Sequence, residues 1–193
     1  MESTAVTTES ASSAHLIGKL TWWVWIFPAV MVAALIRHSL YWLDFSHVMA
    51  GALWTGTDIF MGFILGPILR HLAPDQRRAV ISWLIPKTIL YVPLLALTTG
   101  IAGWFLASWQ HMLAPYSPYR PWVFLACSVI ALLTIQGFGI LLPNSIRAYG
   151  ELQKSSPDMD KVFRLNRRNN RLAGFQGVLQ VAIILVMAHL TVG

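Results

Sequence analysis

Charge is what this sequence has least of. Asp, Glu, Lys and Arg make up 11% of its 193 residues, while 56% are hydrophobic. A water-soluble domain carries about 25% charge. So few charges cannot cover a water-facing surface, and the composition predicts an integral membrane protein. Acids are scarcer than bases, 8 against 14. In a soluble protein the net charge of +6 would suggest nucleic acid. Here it falls in loops held on one side of a bilayer, and no nucleic-acid partner is expected. A single cysteine, Cys127, excludes an intrachain disulfide and reads as a small packing residue in an apolar run. Also missing are a glycine-rich phosphate loop, a His-Glu-x-x-His helix, a Cys-x-x-Cys pair and a frame for Ser-His-Asp catalysis.

What remains is long apolar runs. They predict an all-α integral membrane bundle of about five transmembrane helices with the N-terminus in the cytoplasm. Residues 1–18 are Ser/Thr-rich and read as a disordered cytoplasmic tail; residues 19–193 read as one transmembrane domain. The spans are expected at Leu20 to Tyr41, Phe45 to Leu69, Val80 to Trp109, Trp122 to Asn144, and Pro157 to Leu190. Pro86 and Pro93 are expected to interrupt the third. Ser156-Pro157-Asp158 reads as a helix start, with Ser156 as its hydroxyl cap. A charged hairpin near 147–171 would protrude. Placing loops 70–78 and 147–171 in the cytoplasm puts Arg70, Arg77, Arg78 and the 147–171 cations inside, leaving Arg37 and Arg120 outside.

The central stretch is His47 to His71, HVMAGALWTGTDIFMGFILGPILRH. Helical spacing puts His47, Gly51, Trp54 and Asp58 on one face, with Gly62 and Gly66 continuing it. That face offers a ligand, an aromatic plate, a buried acid and small residues that admit a close neighbour. The orientation sets His38, His47, His111 and His189 at one depth in the outer half. Imidazole ligates haem iron, zinc and copper, although a histidine at a helix end also serves as a polar anchor. His189 lies on the face opposite Gln176 and Gln180. Asp58 is the other unusual group, since an ionisable side chain deep in a membrane marks a function or a partner. A pair with Lys87 is expected, with Tyr91, Gln136, Gln176 and Gln180 near it.

The run HVMAGALWTG, with His47, Trp54 and Gly56, resembles the first conserved helix of a group of small bacterial membrane proteins: HemJ-type protoporphyrinogen oxidases, CopD-type copper-resistance proteins and the membrane region of PuuD-type urate oxidases. PKTILYVPLLALTTGIAGW is similar to the helix that follows it. The resemblance covers about residues 44–110 and implies a bacterial inner-membrane protein with a haem or copper role, His47 being the ligand. Three expectations stand together. The first is a b-type haem protein in electron transfer, quinol-linked or a subunit of a larger complex or homo-oligomer. His47 would be one axial ligand, His111 or His189 the other, Trp54 would flank the ring, and Arg37 or Arg120 would pair with propionates. The second is copper or other metal handling through His47, His111, His38 and Met112. The third is a structural anchor whose hairpin docks a soluble partner. Whether the chain is an enzyme is left open.

Overall fold

The computed structural model describes residues 22–192; the tail 1–18 and Lys19 lie outside the described residues. Every regular element among the described residues is helical. Four helices are long and apolar enough to cross a membrane: α2 (Leu40–His71), α3 (Pro74–Trp109), α4 (Arg120–Leu152) and α5 (Met159–Val192). Before them runs α1 (Trp22–Ile36), apolar but shorter. At 1.5 Å per residue it is about 22 Å long, against about 30 Å for the hydrocarbon core. The first span therefore ends five residues short of Tyr41, at the turn Arg37–Ser39.

The outer surface is that of a membrane protein. Trp22, Tyr41, Trp83, Ile135 and Leu185 are each more than two-thirds exposed, which in water would be a large aggregation liability. The interior is built in three tiers. Met31, Ala34, Leu43, Ala102 and Leu106 pack at the end where α1 meets α2. Ala50, Trp54, Leu95, Leu133 and Ile183 fill the middle. Leu69, Ile81, Ile85, Ala148 and Val162 close the basic end.

The helix ends have local causes. Ser39 Oγ accepts from Trp42 N at 3.5 Å and caps α2. Pro74 occupies the first position of α3, where its missing N–H costs nothing. Helix α3 starts six residues before the expected Val80 and runs unbroken through Pro86 and Pro93. The Thr88 hydroxyl donates to the carbonyls of Leu84 and Ile85, the two residues before Pro86. Helix α4 passes Asn144 and continues to Leu152. The cap of α5 is Asp158 rather than Ser156: its Oδ1 accepts from Lys161 N at 2.9 Å. Glu151 ties the hairpin shut, accepting from Lys154 and Lys161 at 2.9 Å each and from Asp158 N at 3.3 Å.

Two of the spanning helices contain a π-helical turn, at Phe60–Leu65 in α2 and Gly137–Leu141 in α4. Each is followed within two residues by proline, in Ile64-Leu65-Gly66-Pro67 and Ile140-Leu141-Leu142-Pro143. Proline removes an N–H and crowds the carbonyl one turn back; a widened turn upstream absorbs both. In α2 the π turn sits where α5 crosses. A Cβ on Gly62 would fall 2.2 Å from Gly174 Cα, and one on Gly177 would fall 2.8 Å from Ile59 Cγ1. The small residues of the central stretch thus admit the backbone of α5, a close-packed crossing typical of membrane helices.

Candidate functional site: a buried carboxylate in a crevice

That crossing positions Asp58. The residue is 2% exposed and stands two residues before the π segment, near the middle of α2. Gln180 of α5 donates from Nε2 to Asp58 Oδ2 at 3.1 Å. Gln176, one turn earlier, also acts on the carboxylate, and its own Oε1 accepts from Gln136 of α4 at 3.3 Å. Gln136 Nε2 reaches Leu172 O as well, at 3.0 Å. The three glutamines weighed from sequence therefore converge on Asp58 from two other helices. Trp54 sits close to the same carboxylate, yet its Nε1–H makes no hydrogen bond; Gln180 Oε1 is likewise buried without a donor.

The expected Asp58–Lys87 pair is not formed. Lys87 is exposed on the outer side of α3, and among the described residues the ion pairs both belong to Glu151. Close crossing of α2 and α5 at Gly62 and Gly174 brings the α5 amides to Asp58 first, and an amide solvates a buried carboxylate without burying a second charge.

Asp58, Trp54 and Gln176 form one polar part of an open crevice of about 80 Å³. Its walls beside them are apolar, with Val92, Pro93 and Ala96 from α3 and Leu133, Phe138 and Leu141 from α4. It lies where α3 and the first half of α4 pack loosely, their contacts being concentrated beyond Leu142. The exposed Thr134 lies on its open side. Asn169, Asn170 and Ser145 line the side toward the basic end. Asn169 bridges to Asn144, Ser145 Oγ and Leu141 O at 2.9–3.0 Å. These asparagines were not singled out in the sequence, where they sit among arginines in NRRNNR. The readable sign was spacing: 166, 170, 173, 176 and 180 form one inward stripe of α5, all of them buried.

The helix order puts His38, His47, His111 and His189 at the same end of the bundle, but each has its own setting. His38 and His111 have φ of 51° and 55°. Ser39 N bonds to Ala34 O and His38 N to Leu35 O; Met112 N bonds to Ala107 O and His111 N to Ser108 O. Both histidines thus occupy the left-handed position of a helix-ending Schellman motif, usually taken by glycine. His38 also stacks on Trp109 at 5.1 Å, and His189 packs on Trp122 at 4.4 Å. Among the described residues no three His, Cys, Asp or Glu side chains gather into a group that could hold a metal. Arg37 is exposed at the end of α1, and Arg120 lies over Phe124 at 5.4 Å.

His47 differs. It is partly buried against α3, with Nδ1 2.8 Å from Thr99 O. A carbonyl only accepts, so Nδ1 carries the proton and Nε2 is left with a lone pair in the neutral ring. Its ring fills the space a Cβ on Gly103 would take, 2.7 Å from Cε1. Ser46 beside it is fully buried with Oγ unpartnered. Comparison with protein-family models, with curated proteins and with solved structures finds no match for this chain.

Proposed function

We propose that this multi-pass membrane protein receives a quinol-type molecule from the bilayer in the Asp58 crevice, as part of a bacterial inner-membrane electron-transfer system. The observation that carries the reading is a buried carboxylate, ringed by amides, in a largely apolar crevice between loosely packed helices. A polar group so deep in the membrane is costly and calls for a role. A quinol is a flat apolar ring with a hydroxyl at each end. One hydroxyl would donate a hydrogen bond to Asp58, which is placed to hold that proton. Trp54 Nε1–H, beside the same carboxylate, is a second donor at the polar end of the crevice. The asparagines beyond lead from the crevice toward the basic end, which positive-inside charge distribution assigns to the cytoplasm.

The test is binding of a photoreactive short-chain quinone by the purified protein in nanodiscs. Labelling should fall on α2 between Trp54 and Met61, and Asp58→Leu should weaken binding of the reduced form about tenfold or more, the worth of a charge-assisted hydrogen bond. Labelling elsewhere, or unchanged affinity in Asp58→Leu, refutes the reading.

His47 supports a second element, a b-type haem as electron acceptor. Its Nδ1 is anchored by a carbonyl and its Nε2 is available, the arrangement found in metal-ligating histidines. Haem bound there would supply one-electron chemistry. The opposing ligand would come from outside the described chain, because His38 and His111 are held as helix caps and His189 is packed on Trp122. A reduced-minus-oxidised spectrum with metal analysis decides it. A Soret band lost in His47→Ala supports haem; copper in place of iron favours the metal-handling alternative. Quinone labelling is read independently of either.

A further inference from the structure

A second, smaller cleft opens at the basic end, about 20 Å³ in volume, between the end of α2, the start of α3 and the first turns of α5. Its polar lining is Arg70, Arg77, Arg167, Asn166 and Asn170; no acid is among its lining residues. Three arginines from three helices thus line one cleft with no acid in its lining. Among the described residues the ion pairs both belong to Glu151, with Lys154 and Lys161, so none of the three arginines is in a salt bridge.

Arg77 is held in place. It donates to Arg70 O and Leu72 O, both at 3.2 Å, and its guanidinium lies 4.9 Å over the Phe163 ring. Yet its Nε–H is buried with no acceptor in the protein. A buried donor without a partner signals an absent acceptor, and like charges gathered in a low-dielectric cleft call for an anion. The side chains of Arg70 and Arg167 have no hydrogen-bonding or ionic partner among the described residues. Asn166 and Asn170 add buried amide donors.

Depth identifies the kind of anion. Arg70 lies 12 residues beyond Asp58 on α2, about 18 Å along the axis. Half of the hydrocarbon core is about 15 Å, so the cleft sits at headgroup level. The exposed Trp83, 68% accessible, marks the same interface from α3.

We propose that this cleft binds a phosphate oxyanion, with Arg70, Arg77 and Arg167 as its cationic ligands. The two sources of that chemistry are the headgroup of an anionic phospholipid and free phosphate.

The experiment uses the full chain in nanodiscs of phosphatidylcholine alone or mixed with phosphatidylglycerol, and in detergent with inorganic phosphate. Lipid retention is read by native mass spectrometry and stability by thermal unfolding. Arg77 supports the fold through two carbonyls, so Arg70→Gln and Arg167→Gln are the diagnostic variants; Arg168→Gln, on exposed α5 surface, is the control. Phosphatidylglycerol should be retained over phosphatidylcholine, and each diagnostic variant should reduce that retention about tenfold, the loss of one charge-assisted bond. Arg168→Gln should retain it fully. Equal protection by inorganic phosphate, lost in the same two variants, would assign the same cleft to a soluble phosphate. The proposal fails if neither probe is favoured, or if all three arginine variants reduce binding alike, which would make it diffuse surface attraction.

Discussion

A methyl group at position 62 tests how the bundle holds its buried acid. In Gly62→Ala the new Cβ would lie 2.2 Å from Gly174 Cα and 2.5 Å from Gly174 N. Both contacts are backbone, so no rotamer change relieves them. Ordinary contact begins at 3.4 Å, which requires α2 and α5 to part by about 1.2 Å. Overpacking of this kind costs about 1–3 kcal/mol. Glycine to alanine in a helix interior returns about 1 kcal/mol of propensity, leaving a net loss of about 0–2 kcal/mol. The same displacement carries the Gln180–Asp58 bond, now 3.1 Å, out of hydrogen-bond range. Gly56→Ala is the control on the same helix, because nothing lies within 4 Å of a Cβ there. Propensity then acts alone, and the variant should be stabilised by about 0.5–1 kcal/mol. The reverse substitution partner, Gly174→Ala, meets its nearest atom at 3.2 Å and should cost less than Gly62→Ala. Unfolding in mixed micelles with increasing denaturing detergent, followed by tryptophan fluorescence, gives all three values. If Gly62→Ala is as stable as Gly56→Ala, the close α2–α5 crossing is not how the site is assembled.

Other expectations follow from single contacts. Gly103→Ala should destabilise through its clash with His47 Cε1 at 2.7 Å, and His47→Ala should leave a void. The double variant should lose less than the sum of the two, with a coupling of about 1 kcal/mol or more in a double-mutant cycle. His111→Gly should raise stability by about 1 kcal/mol, because glycine relieves the strain of φ 55°; a loss of stability or of bound metal would instead make His111 a ligand. Glu151→Gln should expose the 153–158 turn to trypsin at Lys154, and high salt should increase cleavage of the unaltered chain in the same direction by screening both ion pairs. Equal cleavage rates would show that packing alone holds the hairpin.

The sequence made some of this readable and hid the rest for definable reasons. Membrane helices announce themselves through composition and length, so the bundle and the loops between its spans follow from hydropathy. Asp58 stood out because a lone acid in an apolar run has no bland neighbours. Its partner did not, because Lys87 and Gln180 lie at comparable depth on α3 and α5. The choice between them depended on how closely α2 approaches each helix. That approach is set by Gly62, Gly174 and Gly177, which only matter once paired across helices. The π turns were partly visible as Ile-Leu-x-Pro in two spans, a repeat too short to weigh without knowing that each closes a widened turn just before a proline. The histidines misled for a different reason. Shared depth suggested a common site, whereas His38 and His111 are where helices need a left-handed residue to stop. Asn169 and Asn170 were hidden by the arginines around them, which marked that turn of the expected helix as a charged, water-facing stretch.

Asn170 connects the two proposed sites. It lines the Asp58 crevice and also the arginine cleft, so one side chain separates a ligand in each. Its Oδ1 is buried without a donor, which leaves the amide free to answer a new partner on either side. An anion in the cleft orders Arg70 and Arg167 and draws the Asn170 amide toward itself, which changes the wall seen from the crevice. Two sites that share a wall cannot be filled independently, and thermodynamic linkage makes the effect equal in both directions. Phosphatidylglycerol should therefore change quinone affinity by about fivefold or more, and quinone should change phosphatidylglycerol retention by the same factor. Asn170→Leu removes the amide and should abolish that mutual effect while leaving each ligand able to bind alone. Lipid and quinone affinities that are independent in the unaltered protein would show that Asn170 is only packing, and that the crevice and the cleft are separate features of one bundle.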